Sequence, residues 1–285
     1  MEPPNPREAR VIKELQLQEY LFDLNGYLVV EDVLAPDEVA ALKRSVDRRL
    51  EAEGEELGDH MVRFGAAPSG SGFLEWGDPF CALLTHPRIM PVLRFRLGDC
   101  FRLDRIYGIC MRPGMSRGVL HSDYGASAPV GGAEPGTYYP FRENRIAEGF
   151  VVVTFNLTDA GPDHGGFCCI PGSHKSHFRL PERIADSPED CPFVVVPEVP
   201  AGSAVLFTEA LTHGTAAWSG PHERRSLLYK YCVSHVAWTA NRVTPPPAAE
   251  LTERQKILFR EPADPHRHFP SLFEETERPL ERGYH

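Results

Sequence analysis

The sequence predicts a mainly β protein with flanking helices, an antiparallel sandwich or jelly roll, and three observations carry that prediction. From about Phe101 onward, short β-branched and aromatic runs alternate with Gly/Pro turns, as expected for many short strands. Ahead of them lie stretches with helical spacing of apolar residues. The chain has 285 residues, 42% hydrophobic and 25% charged, enough for a sizeable core and ordinary for a globular protein.

Each element has its own signal. Leu15, Leu17, Tyr20, Leu21 and Phe22 give Lys13–Asp23 the apolar side of a helix. Gly26–Val30 is a short apolar strand covered on both faces. The next helix starts at Leu34–Glu38, with Pro36 early and acids at the positive end of the dipole; Val39, Leu42, Val46 and Leu50 form its buried stripe, and it ends near Gly54. Residues 55–75 read as a flexible Gly/Ser-rich loop around Met61–Phe64, and Pro87–Leu97 as a third helix. Strands are expected at Arg105–Met111, Val119–Asp123, Phe150–Leu157, Phe167–Ile170, Phe193–Pro197, Ala204–Thr208 and Ser226–Val233. The long segment Gly125–Ala147, with Pro129, Pro135, Tyr138, Tyr139 and Pro140, follows His121 and Asp123 directly and reads as a lid or binding loop. Pro245–Pro247 ends the sheet, Glu250–Phe259 reads as one amphipathic helix, and the last stretch either wraps the domain or stays loose.

The net charge of -10 argues against nucleic acid and anionic membranes as partners. No apolar signal core opens the chain, no apolar run could span a bilayer, and seven Cys without a CxxC pair suggest no disulfide framework, so a cytoplasmic location is expected.

His121 and Asp123 stand two apart, so on a strand an imidazole and a carboxylate share a face, and His213 could close the set from another strand. Two His and one carboxylate leave open metal positions, as in non-haem Fe(II) oxygenases. An HxD pair alone is common in turns, and a lone histidine is more often a structural one. What strengthens the set is Arg224, eleven residues after His213 at the head of an apolar strand. A guanidinium facing the interior needs an anion, and its fork suits a carboxylate. Strand alternation lets only one of Arg224 and Arg225 face inward; the other is a surface charge. Thr215, two beyond His213, would face the same way and could add a hydroxyl. His174 and His177 sit in a polar turn where exposed or hydrogen-bonded roles fit better than metal binding, and Cys168 and Cys169 read as core thiols.

These segments, taken in order, resemble the phytanoyl-CoA dioxygenase family of Fe(II)/2-oxoglutarate-dependent oxygenases. The resemblance runs over about residues 18–240: Gly26–Asp32, Met111-Arg112-Pro113-Gly114, His121-Ser122-Asp123, Gly165-Gly166 to Pro171-Gly172-Ser173-His174-Lys175, His213-Gly214-Thr215 and Arg224. It implies a cupin-like double-stranded β-helix in one oxygenase domain over 1–285, with 245–285 as an extension. It implies Fe(II) on His121, Asp123 and His213, and 2-oxoglutarate chelating that iron with its far carboxylate on Arg224 and Thr215; Arg225 is the alternative if the register slips by one. Oxidative decarboxylation to succinate and CO2 with O2, stimulated by ascorbate, would drive attack on a C–H bond of a small-molecule substrate. Related halogenating enzymes lack the carboxylate that Asp123 supplies, so hydroxylation or a related oxidation is expected rather than halogenation. The alternative is a non-redox metal protein on the same barrel, a zinc hydrolase, isomerase or binding module, which leaves Arg224 and Thr215 without a task. A monomer or homodimer is expected.

Overall fold

The computed structural model describes residues 6–53, 61–67, 70–127, 139–142, 145–238, 241–263, 266 and 268–277. In chain order the helices are α1 (Pro6–Asn25), α2 (Pro36–Glu53), α3 (Asp78–Ala82), α4 (Met90–Leu97), α5 (Glu182–Asp186) and α6 (Glu253–Leu258). The strands are β1 (Tyr27–Val30), β2 (Val62–Phe64), β3 (Phe101–Met111), β4 (Phe141–Arg142), β5 (Arg145–Ile146), β6 (Phe150–Asn156), β7 (Gly166–Cys169), β8 (Ala204–Thr208), β9 (His213–Ala216) and β10 (Arg224–Val233). A six-stranded antiparallel sheet, ordered β1-β8-β6-β10-β3-β2, faces the smaller pair β7-β9, and β4-β5 form a hairpin. The result is a jelly-roll core with helices on one side.

Period-two alternation divides the large sheet into two chemical faces. Leu227 and Tyr229 of β10 stand opposite Phe155 and Val153 of β6, and all four pack with the helices in the main core. Tyr229 and Tyr231 carry their hydroxyls into that layer, donating to the carbonyls of Phe80 and Leu84 at 2.7 and 2.9 Å. The intervening residues face the other way. Tyr107, Ile109 and Met111 of β3, Leu228 of β10, Val152 of β6 and Val205 and Phe207 of β8 form a second cluster with Phe167 and Cys169 of the small sheet. Arg224, Ser226 and Lys230 of β10 share that inner face with Leu228. Both faces are covered, which is why β6 is buried along its whole length, its two polar residues Thr154 and Asn156 included.

Several expectations change in extent. The first helix begins at Pro6 rather than Lys13, and β3 starts at Phe101 rather than Arg105. The helix expected from Pro87 begins at Met90 with Pro91 in its first turn, after a turn through His86–Ile89. The helix expected over 250–259 is the shorter α6, fixed by a capping box in which Thr252 accepts from the Gln255 amide and Gln255 reaches back to Thr252. Val119–Asp123 and Phe193–Pro197 are not strands: each pairs through isolated bridges, at His121 and Val195. The 55–75 stretch is more ordered than a loop, holding β2 and a helical turn at Gly72–Trp76, although 54–60 and 68–69 lie outside the described residues. Most of the expected lid, including Pro129, Pro135 and Tyr138, also lies outside them. The C-terminal stretch wraps the domain as far as it is described: Leu272 is buried and its amide donates to the Asp99 carbonyl.

Two packing details yield measurable consequences. Phe64 lies flat on the bare backbone of Gly108, its register partner, so a Cβ there would stand 2.1 Å from the ring. Phe64 is itself buried and stacked on Trp76, so it cannot give way freely. Gly108→Ala should therefore cost about 1–3 kcal/mol, read as a lower urea midpoint at unchanged m-value. His174 is buried, with Nε2 hydrogen-bonded to the Asp23 carbonyl at 3.0 Å. Burial, then the Lys175 charge, push its pKa down to about 4. The unfolded chain takes up that proton near pH 6.5, so the contribution is intact above that pH and is lost as pH falls toward 4, up to about 3 kcal/mol. His174→Asn should flatten the fall of unfolding free energy over that window; His213, shifted the same way, retains part of the slope.

Candidate metal and oxoacid site

The core of the site is a backbone bridge. The His121 amide donates to the His213 carbonyl at 2.9 Å and the His213 amide donates back at 2.8 Å. This non-strand pairing sets the two imidazoles with ring centres 4.7 Å apart. Each ring is latched on one side: Nδ1 of His121 lies 2.9 Å from the Val119 carbonyl and Nδ1 of His213 lies 2.8 Å from the Leu211 carbonyl. A carbonyl can only accept, so both Nδ1 atoms carry a proton, which leaves Nε2 as the ligating nitrogen of each ring. Burial, then the neighbouring His121, push the His213 pKa down to about 3, which keeps that ring neutral at ordinary pH. Phe207 packs beside His213 with ring centres 4.6 Å apart and holds it against the inner face of the large sheet.

Asp123 supplies the acid. Its Oδ1 lies 3.6 Å from His121 Nε2, while Oδ2 accepts from Lys230 Nζ at 2.9 Å. Burial works against the charged carboxylate, but hydrogen bonding with Glu209 and the Lys230 charge outweigh it, holding the Asp123 pKa well below the ordinary range. Glu209 is buried 2.6 Å from the same Lys230, and burial raises its carboxyl well above the usual value. Among the described residues, no three His, Cys, Asp or Glu side chains are already gathered into a metal cage. The fit to a divalent metal rests on donor types: two imidazoles side by side and an ionised carboxylate 3.6 Å from one of them, next to an accessible side. His121 and Asp123 keep 32% and 20% of their side chains exposed, so a ligand can approach there while His213 is covered.

Arg224 is the second half. Its side chain is buried on the inner face, its Nε has no hydrogen-bond partner, and its nearest polar contact is Met111 Sδ, 3.6 Å from Nη1. Burial pushes its pKa down to about 10. The two other deeply buried arginines have acids: Arg96 meets Glu148 at 2.9 Å and Arg102 meets Asp104 at 3.1 Å. Arg225 turns outward to Glu223 and Asp47, a partly exposed network worth about 1 kcal/mol or less. An uncompensated buried charge costs several kcal/mol, so Arg224 is the group that calls for an anion. Gly166 makes room for it, since a Cβ there would lie 3.4 Å from Arg224 Nε and 3.0 Å from Ala160. Gly166 and Cys169, the residue opposite His213, are the two ends of β7. Three residue steps make that about 10 Å, a span that a five-carbon dicarboxylate chelating a metal can bridge. Thr215 stands on the His213 side of β9, opposite Phe167.

Not every polar residue of the region belongs to the site. His174 faces Asp23, and Cys168 and Cys169 are buried thiols, raised by burial, to about 12 for Cys168. Lys230 and Glu209 were absent from the sequence reading. Lys230 had a legible signal, a lone cation inside the apolar run Leu227–Val233 at an even offset from Arg224. Glu209 had none beyond ending an apolar strand.

The Phytanoyl-CoA dioxygenase (PhyH) family model matches residues 22–226. The chain belongs to this family. It is thus an oxygenase of the Fe(II)/2-oxoglutarate cofactor class. Solved structures share the fold. HygX from Streptomyces hygroscopicus, crystallised with nickel and 2-oxoglutarate, is 20% identical with a TM-score of 0.65, over 80% of this chain and 95% of that one. SnoK, a non-haem α-ketoglutarate-dependent carbocyclase from nogalamycin biosynthesis, is 19% identical with a TM-score of 0.56, over 79% and 87%. SnoN, an epimerase from the same biosynthesis, is 24% identical with a TM-score of 0.54, over 92% and 97%. Among the described residues no helix is long and apolar enough to cross a membrane.

Proposed function

We propose that this chain hydroxylates an unactivated C–H bond of a small-molecule metabolite, with 2-oxoglutarate consumed to succinate and CO2. The observation that carries the reading is Arg224, a buried guanidinium without an acid partner among the described residues, in the same interior as two imidazoles latched at Nδ1. His121 and His213 would hold Fe(II) through Nε2 and Asp123 through Oδ1; Arg224 would take the far carboxylate of 2-oxoglutarate, with the Thr215 hydroxyl beside it. Bound there, iron and 2-oxoglutarate supply the oxidising power for the C–H bond. The protein's own work is to orient both imidazoles, keep Asp123 ionised and hold the far end of the oxoacid on a buried guanidinium. As a metal ligand Asp123 would fill the position that a halide would need, which supports hydroxylation over halogenation. HygX has also been crystallised with hygromycin B, and small-molecule chemistry of that general kind is the setting proposed here.

Anaerobic titration with Fe(II) and 2-oxoglutarate should give a visible charge-transfer band. His121→Ala and Asp123→Ala should each abolish it while circular dichroism stays unchanged; zinc retention with no band and no oxoacid binding would sink the reading in favour of a non-redox metal protein. Arg224→Leu should weaken 2-oxoglutarate binding by about 3 kcal/mol, on the order of a hundredfold, whereas Arg225→Ala should leave it within about threefold. Mass spectrometry of turnover should show a product gaining one oxygen atom. Loss of two hydrogens, or no change of mass, would instead indicate ring closure or epimerisation.

A further inference from the structure

Cations collect on the inner sheet face beside the proposed metal ligands. Arg105 stands directly across the β3-β10 ladder from Lys230, whose Nζ touches Asp123. Tyr107 lies two residues along β3 and faces the same way, opposite Leu228. Edge strand β2 adds Arg63, opposite Ile109 on that face. All three cations surround one ring: Arg63 Cζ, Lys230 Nζ and Arg105 Cζ lie 4.6, 5.8 and 6.0 Å from the Tyr107 centroid. The face of the ring offsets part of their mutual repulsion, but not a gathering of three like charges.

Lys230 is committed to Asp123 and Glu209. Arg63 and Arg105 are not committed: among the described residues neither has a carboxylate partner. Arg94, Arg96, Arg102 and Arg225 each have one, in a chain with 40 acids against 30 Lys and Arg. Arg63 is exposed and Arg105 half-buried, so both can meet a ligand from solvent. Two arginines without carboxylate partners beside Lys230 form a local cationic focus on an otherwise acidic chain, and such a focus draws anions.

We propose that Arg63 and Arg105, with the Tyr107 ring between them, form the anion subsite of the substrate pocket, and that the substrate carries a carboxylate or phosphoryl group. The inference rests on the oxygenase reading for the word substrate; the anion site itself does not need iron or 2-oxoglutarate. Docked there, the anion is fixed at one end while the rest of the molecule extends past Lys230 toward Asp123. Positioning comes from charge rather than from shape alone.

The test is calorimetric titration of the full chain, without metal or oxoacid, using phenyl phosphate, phenylacetate and benzylamine. One or both acids should bind and benzylamine should not; the stronger acid identifies phosphoryl or carboxylate as the preferred group. Arg63→Gln/Arg105→Gln should weaken acid binding at least tenfold, and binding should persist in Arg224→Leu. Thermal unfolding confirms that the double variant folds; if it does not, each single variant should show a smaller loss. No binding of either acid overturns the proposal, as does equal binding of benzylamine. So does binding that survives the double variant and disappears with Arg224→Leu, which would place the anion at the oxoacid site. Because these titrations omit iron, failure of the charge-transfer experiment and failure of this one are separate results.

Discussion

The site depends on two reciprocal amide-to-carbonyl bonds between His121 and His213. They join a segment that is not a strand to one that is, and so bring two imidazoles from distant parts of the sequence side by side. Everything nearby follows from that register. The carbonyls of Val119 and Leu211, each two residues before a histidine, capture the Nδ1 protons. Asp123, two residues after the first histidine, meets Lys230 of the large sheet. A slip of one residue would turn Ser122 toward the second imidazole and carry Asp123 out of Lys230's reach.

Charge placement in the interior is settled by magnitudes. A partly exposed pair such as Arg225 with Asp47 contributes about 1 kcal/mol at most, so its presence says little about function. A buried guanidinium left alone costs several times that, and the fold provides internal acids for Arg96 and Arg102. That Arg224 lacks one is therefore a feature whose cost is offset elsewhere. The same alternation that buries Arg224 places Lys230 six residues along on the same face, so one strand carries both a candidate oxoacid anchor and the partner of a candidate metal ligand.

Strands buried on both faces are legible as short β-branched and aromatic runs between turns; β6 and β8 match their expected spans within a residue. Val119–Asp123 and Phe193–Pro197 have the same look locally, but local sequence does not show whether a partner runs alongside for more than one residue. The ordered turns in the 55–75 stretch were hidden by glycines whose role is tertiary, such as room for Phe73 and Trp76. The site divides similarly. His121, Asp123, His213, Thr215 and Arg224 are the candidates that spacing and resemblance single out, and the register of β10 turns Arg224 rather than Arg225 inward. Glu209 was not visible, because nothing local distinguishes a buried acid behind a lysine from a surface one after a strand.

A catalyst that handles dioxygen beside a redox-active ion is exposed to damage from its own reagents, and sulfur is its most vulnerable element. Cys168 and Cys169 lie on the strand next to His213, yet burial keeps both thiols from ionising. Sulfenic acid formation proceeds through the thiolate. The apolar packing that reads as ordinary core filling thus also leaves these two sulfurs in their less oxidisable, protonated form.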